Sequence, residues 1–165
     1  MNKILFVGIV VLMVLVCLPV AVSAAPTDTV VVSGSIGGSI DVDVTPDAGV
    51  SWGAMAIGTR TDTTTADLNV TTTYNAWRVD ADDAKTPNKG LMVDSGTGRV
   101  LTNPFEVSNG GASYTPMTGS LLFQQLTSEG AGIHLYDIGL RQVIVSTDEA
   151  ANNYQITITF TGAAA

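Results

Sequence analysis

Residues 154–161 alternate without a break. Tyr154, Ile156, Ile158 and Phe160 hold one parity, and Gln155, Thr157, Thr159 and Thr161 hold the other. Side chains of an extended backbone point to opposite faces in turn, so the stripe predicts a β-strand with one face against a core. A helix would scatter the same residues around its circumference and leave the aromatic ends wet.

The period recurs upstream. Ile40, Val42 and Val44 alternate with Asp41 and Asp43; Leu68, Val70 and Thr72 alternate with Asn69 and Thr71; Trp77, Val79 and Ala81 alternate with Arg78, Asp80 and Asp82. Threonine occurs 21 times after position 24, and its β-branched side chain favours strands over helices. Further strands are expected over Val30–Gly34, Leu91–Val93, Val100–Leu101, Phe105–Val107 and Leu121–Leu126, and Val50–Ala56 reads as another strand or a bulged edge. Ile133–Val145 reads as one strand or as a pair split at Gly139. The polar run Thr59–Ala66 reads as a loop, and Asn109-Gly110-Gly111 as a turn. No segment after the N-terminal run has helical periodicity. Short strands punctuated by turn residues predict an all-β, immunoglobulin-like antiparallel β-sandwich. Its core would hold Trp77, Tyr154, Ile156, Ile158 and Phe160.

The N-terminus is of a different kind. Met1-Asn2-Lys3 leads into an apolar run from Ile4 to Leu18, then Pro19 and the small-residue stretch Ala21-Val22-Ser23-Ala24-Ala25. A basic tip, an apolar middle and a small-residue end describe a secretory signal-peptide helix. Cleavage is expected after Ala24, where Val22 and Ala24 supply the two small sites, giving a signal peptide over 1–24 and a single domain over 25–165. The run is nearly long enough to be an uncleaved anchor instead, but Pro19 breaks it and no basic stop-transfer cluster follows. The expected location is therefore extracellular, at the cell surface, with the membrane touched only by the signal segment before cleavage.

Cys17 is the only cysteine and lies within that segment. The remainder has no disulfide framework and no thiol chemistry. Of the seven Lys and Arg, Lys3 falls in the signal, leaving six against fifteen Asp and Glu, a net charge of −9. Such a balance supplies no basic patch for nucleic acid or anionic lipid.

The single histidine, His134, reads as a strand residue on a half-buried face, and nothing nearby in sequence marks a nucleophile for Ser-His-Asp chemistry. No catalytic residue is expected. Asp80, Asp82 and Asp83, with Asn88, are hard oxygen ligands close in sequence and form a candidate Ca²⁺ site; the competing reading is a solvated acidic loop. Asp41, Asp43 and Asp47 form a second cluster of the same kind. Asn69-Val70-Thr71 is a glycosylation sequon on the outward parity of its strand. Trp52, beside Gly53, would either stack on a sugar ring or pack inside.

Several stretches together resemble a known type: Val50-Ser51-Trp52-Gly53, Asn75-Ala76-Trp77-Arg78-Val79, Gly90-Leu91-Met92, the run from Leu101 to Val107, and the closing run from Tyr154 to Thr161. The chain resembles small secreted β-sandwich proteins of prokaryotic cell surfaces, of the WxL-like domain type, with Trp77-Arg78-Val79 in place of Trp-x-Leu. That resemblance implies a non-enzymatic envelope or extracellular role, often in association with cell-wall polymer or other surface proteins.

The expectation for function is thus a structural or interaction protein. Thr27–Gly34 is apolar, β-prone and followed by glycines; it would pair in its own sheet, or swing out and complete the sheet of another copy. The rival expectation is a carbohydrate- or Ca²⁺-binding module using Trp52 or the Asp80–Asp83 loop. A hydrolase using paired acids ranks below both.

Overall fold

The structure is a computed structural model and describes residues 33, 35–83 and 85–165. The expected signal-peptide helix and the expected strand Val30–Gly34 lie outside the described residues. Ile36–Ala165 forms one unit, built from ten strands: β1 (Ile40–Thr45), β2 (Gly58–Thr72), β3 (Trp77–Asp82), β4 (Val93–Asp94), β5 (Glu106–Asn109), β6 (Thr115–Pro116), β7 (Leu121–Leu126), β8 (Gly132–Ile144), β9 (Tyr154–Gln155) and β10 (Thr159–Ala164). All pairings are antiparallel.

The first sheet runs β1-β2-β8-β5-β6, the second β10-β3-β7, and β4 pairs with β9. The chain steps directly from one of the larger sheets to the other at β2–β3, at β6–β7 and at β7–β8. Inward residues of both meet in one core: Leu68 and Val70 of β2 and Ile138 of β8 from one side, Trp77 and Val79 of β3 and Phe123 of β7 from the other. The immunoglobulin-like antiparallel sandwich is therefore the observed class, and no helix occurs among the described residues.

Alternation decides the clearest strands. In β1 burial switches at every residue, and in β3 Trp77, Val79 and Ala81 are fully buried while Arg78 is exposed. Trp77 anchors the centre. Its indole Nε1–H donates to the Gly130 carbonyl at 2.8 Å, so the one polar atom of the side chain is satisfied where water is absent.

Two expectations are corrected, and one open alternative is decided. Thr59–Ala66 is not a loop but the first half of β2, paired with β8. The register shifts between Asp62 and Ala66, where the Asp62 carboxylate accepts from the amides of Thr64 and Thr65 and from the Thr65 hydroxyl. That local cap bulges the strand and hides its period. Val50–Ala56 is not a strand: Gly53 has a φ of +64° and turns the chain between Trp52 and Met55. β8 is continuous through Gly139, which is glycine because the Gly110-Gly111 turn lies on it; a Cβ there would sit 2.9 Å from the Gly111 Cα.

The closing stripe is also broken. Residues 154–155 pair with β4 and residues 159–164 with β3, leaving 156–158 outside any strand. Tyr154, Ile156, Ile158 and Phe160 keep their parity, but each is half-buried at the margin of the core rather than sealed within it.

The outer face of the first sheet carries a regular grid. Across β1, β2 and β8 the rows read Thr45–Asp67–Asp137, Asp43–Asn69–Leu135 and Asp41–Thr71–Ile133. All four aspartates are exposed, and the grid holds no basic residue. Asp67 stands directly opposite Asp137, a like-charge pairing that opposes sheet formation.

Candidate interaction site

The side of the sandwich where both sheets end is built by β1 and β10. Each is the edge of its sheet among the described residues. They approach closely at one point, where a Cβ on Gly162 would lie 2.7 Å from Val42 Cγ2 and 2.8 Å from Ile40 Cδ1. Beside that contact a space of about 1150 Å³ opens. Val44, Ile158 and Phe160 line its mouth, and Leu101, Phe105 and Ile138 its inner wall.

Residues 46–57 lie over this space. They join β1 to β2, but β2 begins nine residues ahead of Asp67, the partner of Thr45. The run Gly58–Ala66 consequently has β8 on one side and no strand on the other among the described residues. Val50, Trp52 and Met55 reach inward and pack on the core. The Trp52 ring stacks on Phe105 with centroids 5.6 Å apart and planes at 26°, and the Arg60 guanidinium lies 5.8 Å from the same ring. Trp52 is thus engaged by protein groups rather than presented to a sugar. Its Nε1–H is buried without a well-formed hydrogen bond; the Asp62 carboxylate feels it only weakly, behind its bonds to Thr64 and Thr65.

The opposite bank is residues 145–158. Asp148 holds it: one carboxylate oxygen accepts from the Thr102 amide and hydroxyl at 2.8 and 2.6 Å, the other from the Val145 amide at 2.8 Å. Burial works to raise this carboxyl's pKa, but those bonds outweigh it and hold the group below the usual range. Asp94 anchors the neighbouring turn in the same way, lowered by the Thr97 hydroxyl and amide, with the Asn153 amide adding to them. Burial raises the Tyr154 phenol, which donates to the Glu149 carbonyl at 2.7 Å.

The carboxylates singled out as a cation site take separate partners. Asp80 pairs with Arg78 at 3.2 Å and Asp82 with Lys89 at 2.7 Å. Asp83, 1% exposed, accepts from the Gly90 amide at 2.8 Å and the Lys85 amide at 3.1 Å. No group of three or more potential metal ligands occurs among the described residues. Asp41 and Asp43 belong to the outer grid. Asn69 sits at the centre of that grid, half-buried between Asp43 and Leu135, with its Oδ1 buried and unpartnered. His134 Nε2 lies 2.8 Å from the Gly130 carbonyl, and its ring stacks on Tyr136 beside Trp77.

The arrangement offers an unpaired backbone edge beside an apolar cleft. Such an edge pairs with an extended segment, and the cleft receives alternate side chains of that segment. Sequence reasoning placed the Tyr154–Phe160 stripe in the middle of the core, not on the border of a cleft. The signal that would have relocated it is the lack of a second apolar strand to cover it.

No family model matches the chain, and no curated protein matches it. Among solved structures it is similar to a chain of the CsuC–CsuE chaperone–tip adhesion subunit pre-assembly complex from archaic chaperone-usher Csu pili of Acinetobacter baumannii, at 11% identity and a TM-score of 0.38. The match covers 75% of this chain and spans 39% of that one.

Proposed function

We propose that this chain is a non-enzymatic surface protein, exported by residues 1–24, that assembles with copies of itself by β-strand addition. The donor is Thr27–Gly34 of one copy and the acceptor is the outer edge of residues 156–164 of the next. The observation that carries the reading is that edge, which has no strand partner among the described residues and borders an apolar cleft. Exposed edges of this kind are normally blunted by charge, proline or a covering element. Here the outward residues Thr157, Thr159 and Thr161 carry no charge. The donor is β-prone, with Val30 and Val32 on one parity to enter the cleft and Val31 on the other. The likeness to WxL-like surface proteins supports the same compartment and a non-catalytic role.

The test is removal of residues 25–34 from the mature chain. Polymers of the intact chain, seen by sedimentation and electron microscopy, should vanish while the truncated chain keeps its cooperative melt. Polymers that persist without the donor, or an intact chain that stays monomeric at all concentrations, would overturn the reading.

A further inference from the structure

We infer that residues 46–57 are a stand-in for the incoming strand: in the single chain they fill the cleft that the strand takes on assembly, and they leave it when the strand arrives. The inference rests on the strand-addition reading and adds what occupies the seat beforehand.

Length is the first ground. Adjacent antiparallel strands are commonly joined by ~2–5 residues, whereas β1 and β2 are joined by the twelve residues 46–57. The second is how the segment is held. Beyond the turn from the Gly49 amide to the Pro46 carbonyl, residues 50–57 make no backbone hydrogen bond to any described residue. Val50, Trp52 and Met55 attach it to the core by side chains alone, and Ile57, 72% exposed, turns outward. A segment with apolar anchors and no ladder belongs to the part of a fold that opens at low cost.

The third ground is fit. Eight residues of extended chain span ~26 Å, about the length of the 156–164 edge. The donor would bring valines where Val50, Trp52 and Met55 now sit. It would also satisfy the backbone groups along 156–164 that the present occupant leaves unused. Larger apolar contacts, the Trp52 stack among them, are given up for those of the valines, and the backbone hydrogen bonds gained along 156–164 are what drive displacement toward assembly.

Trp52 reports the event directly. In a Trp77→Phe variant it is the sole tryptophan. On assembly of the mature chain its emission should move to the red and become open to acrylamide quenching, as it leaves Phe105. The unmodified chain gives the same reading if that variant fails to fold: chymotrypsin should cut within residues 46–57 faster in the polymer, and hydrogen exchange at residues 156–164 should slow. Trp52→Ala should speed assembly severalfold, up to about tenfold, the factor that a lost aromatic stacking contact corresponds to. Polymers that protect 156–164 while Trp52 and 46–57 stay unchanged would overturn the stand-in and leave strand addition intact. Absence of protection at 156–164 would remove both.

Discussion

The indole nitrogen of Trp77 and the carbonyl oxygen of Gly130 lie 2.8 Å apart, and His134 Nε2 lies the same distance from that oxygen. One carbonyl thus ties the central core side chain to the loop between β7 and β8. The approach demands a bare Cα at 130, since a Cβ would stand 2.6 Å from both the Asn75 carbonyl oxygen and Trp77 Nε1. Gly130→Ala should therefore push the loop off its acceptor position and cost about 1–3 kcal/mol, an overpacking penalty with a strained hydrogen bond inside it. Urea unfolding of the variant measures it. A change within about 0.5 kcal/mol would show that the loop accommodates freely.

Gly139 poses the same kind of constraint on β8. A Cβ would meet the Gly111 Cα at 2.9 Å and the Ser108 Cβ at 3.1 Å. Gly139→Ala is expected to cost about 1–3 kcal/mol, and to increase amide exchange at Gly110, whose N–H donates to the Asp137 carbonyl at 2.9 Å. Unchanged exchange there would contradict the packing account.

Asp83 bridges β3 to the loop that follows it through the Gly90 and Lys85 amides. Asp83→Ala leaves a buried amide without an acceptor, for a loss of about 1–3 kcal/mol. Asp80→Ala and Asp82→Ala remove only half-exposed ion pairs, for which under about 1 kcal/mol is expected. Thermal melts of the three variants side by side give the ranking, and equal effects would show that the three aspartates act as a unit after all.

Stability should fall in acid. Asp62, Asp94 and Asp148 all have carboxyls held below the ordinary range in the fold. Unfolding returns them to about 3.9, so the unfolded chain takes up protons first as pH drops. The stabilisation is complete above that value and is lost as pH passes down through the lower folded values. Melting temperature followed from neutral pH to about pH 2 should be level and then decline below about pH 4. Asp148→Asn should lower the plateau and soften the decline; a decline of unchanged steepness would take Asp148 out of the account.

Strands with one wet and one dry face were legible before any coordinates, because parity alone separates Ile40, Val42 and Val44 from Asp41 and Asp43. The same holds for Trp77, Val79 and Ala81. Thr59–Ala66 was misread because its residues are polar on both parities and its pairing partner lies some eighty residues away in β8, a relation no local period encodes. Val50–Ala56 misled in the opposite sense: the apolar alternation is present, but one glycine with positive φ breaks the extension. That the acidic residues at 80–83 are near one another was legible; that Arg78, Lys89 and two backbone amides already occupy them was not. The cleft itself was invisible, since its lining residues, from Val44 to Phe160, lie far apart in the sequence.

In a polymer of the proposed kind, the aspartate grid on the outer face of the first sheet would govern how neighbouring threads meet. Two such faces pressed together would set carboxylate against carboxylate with no cation between them, and the repulsion would grow with every copy added to a stack. Ile133 and Leu135, exposed on the same face, would favour such contact; the four carboxylates oppose it, and end-to-end joining is left open. Such a polymer would take the form of thin threads rather than slabs, and raising the salt should let the threads bundle.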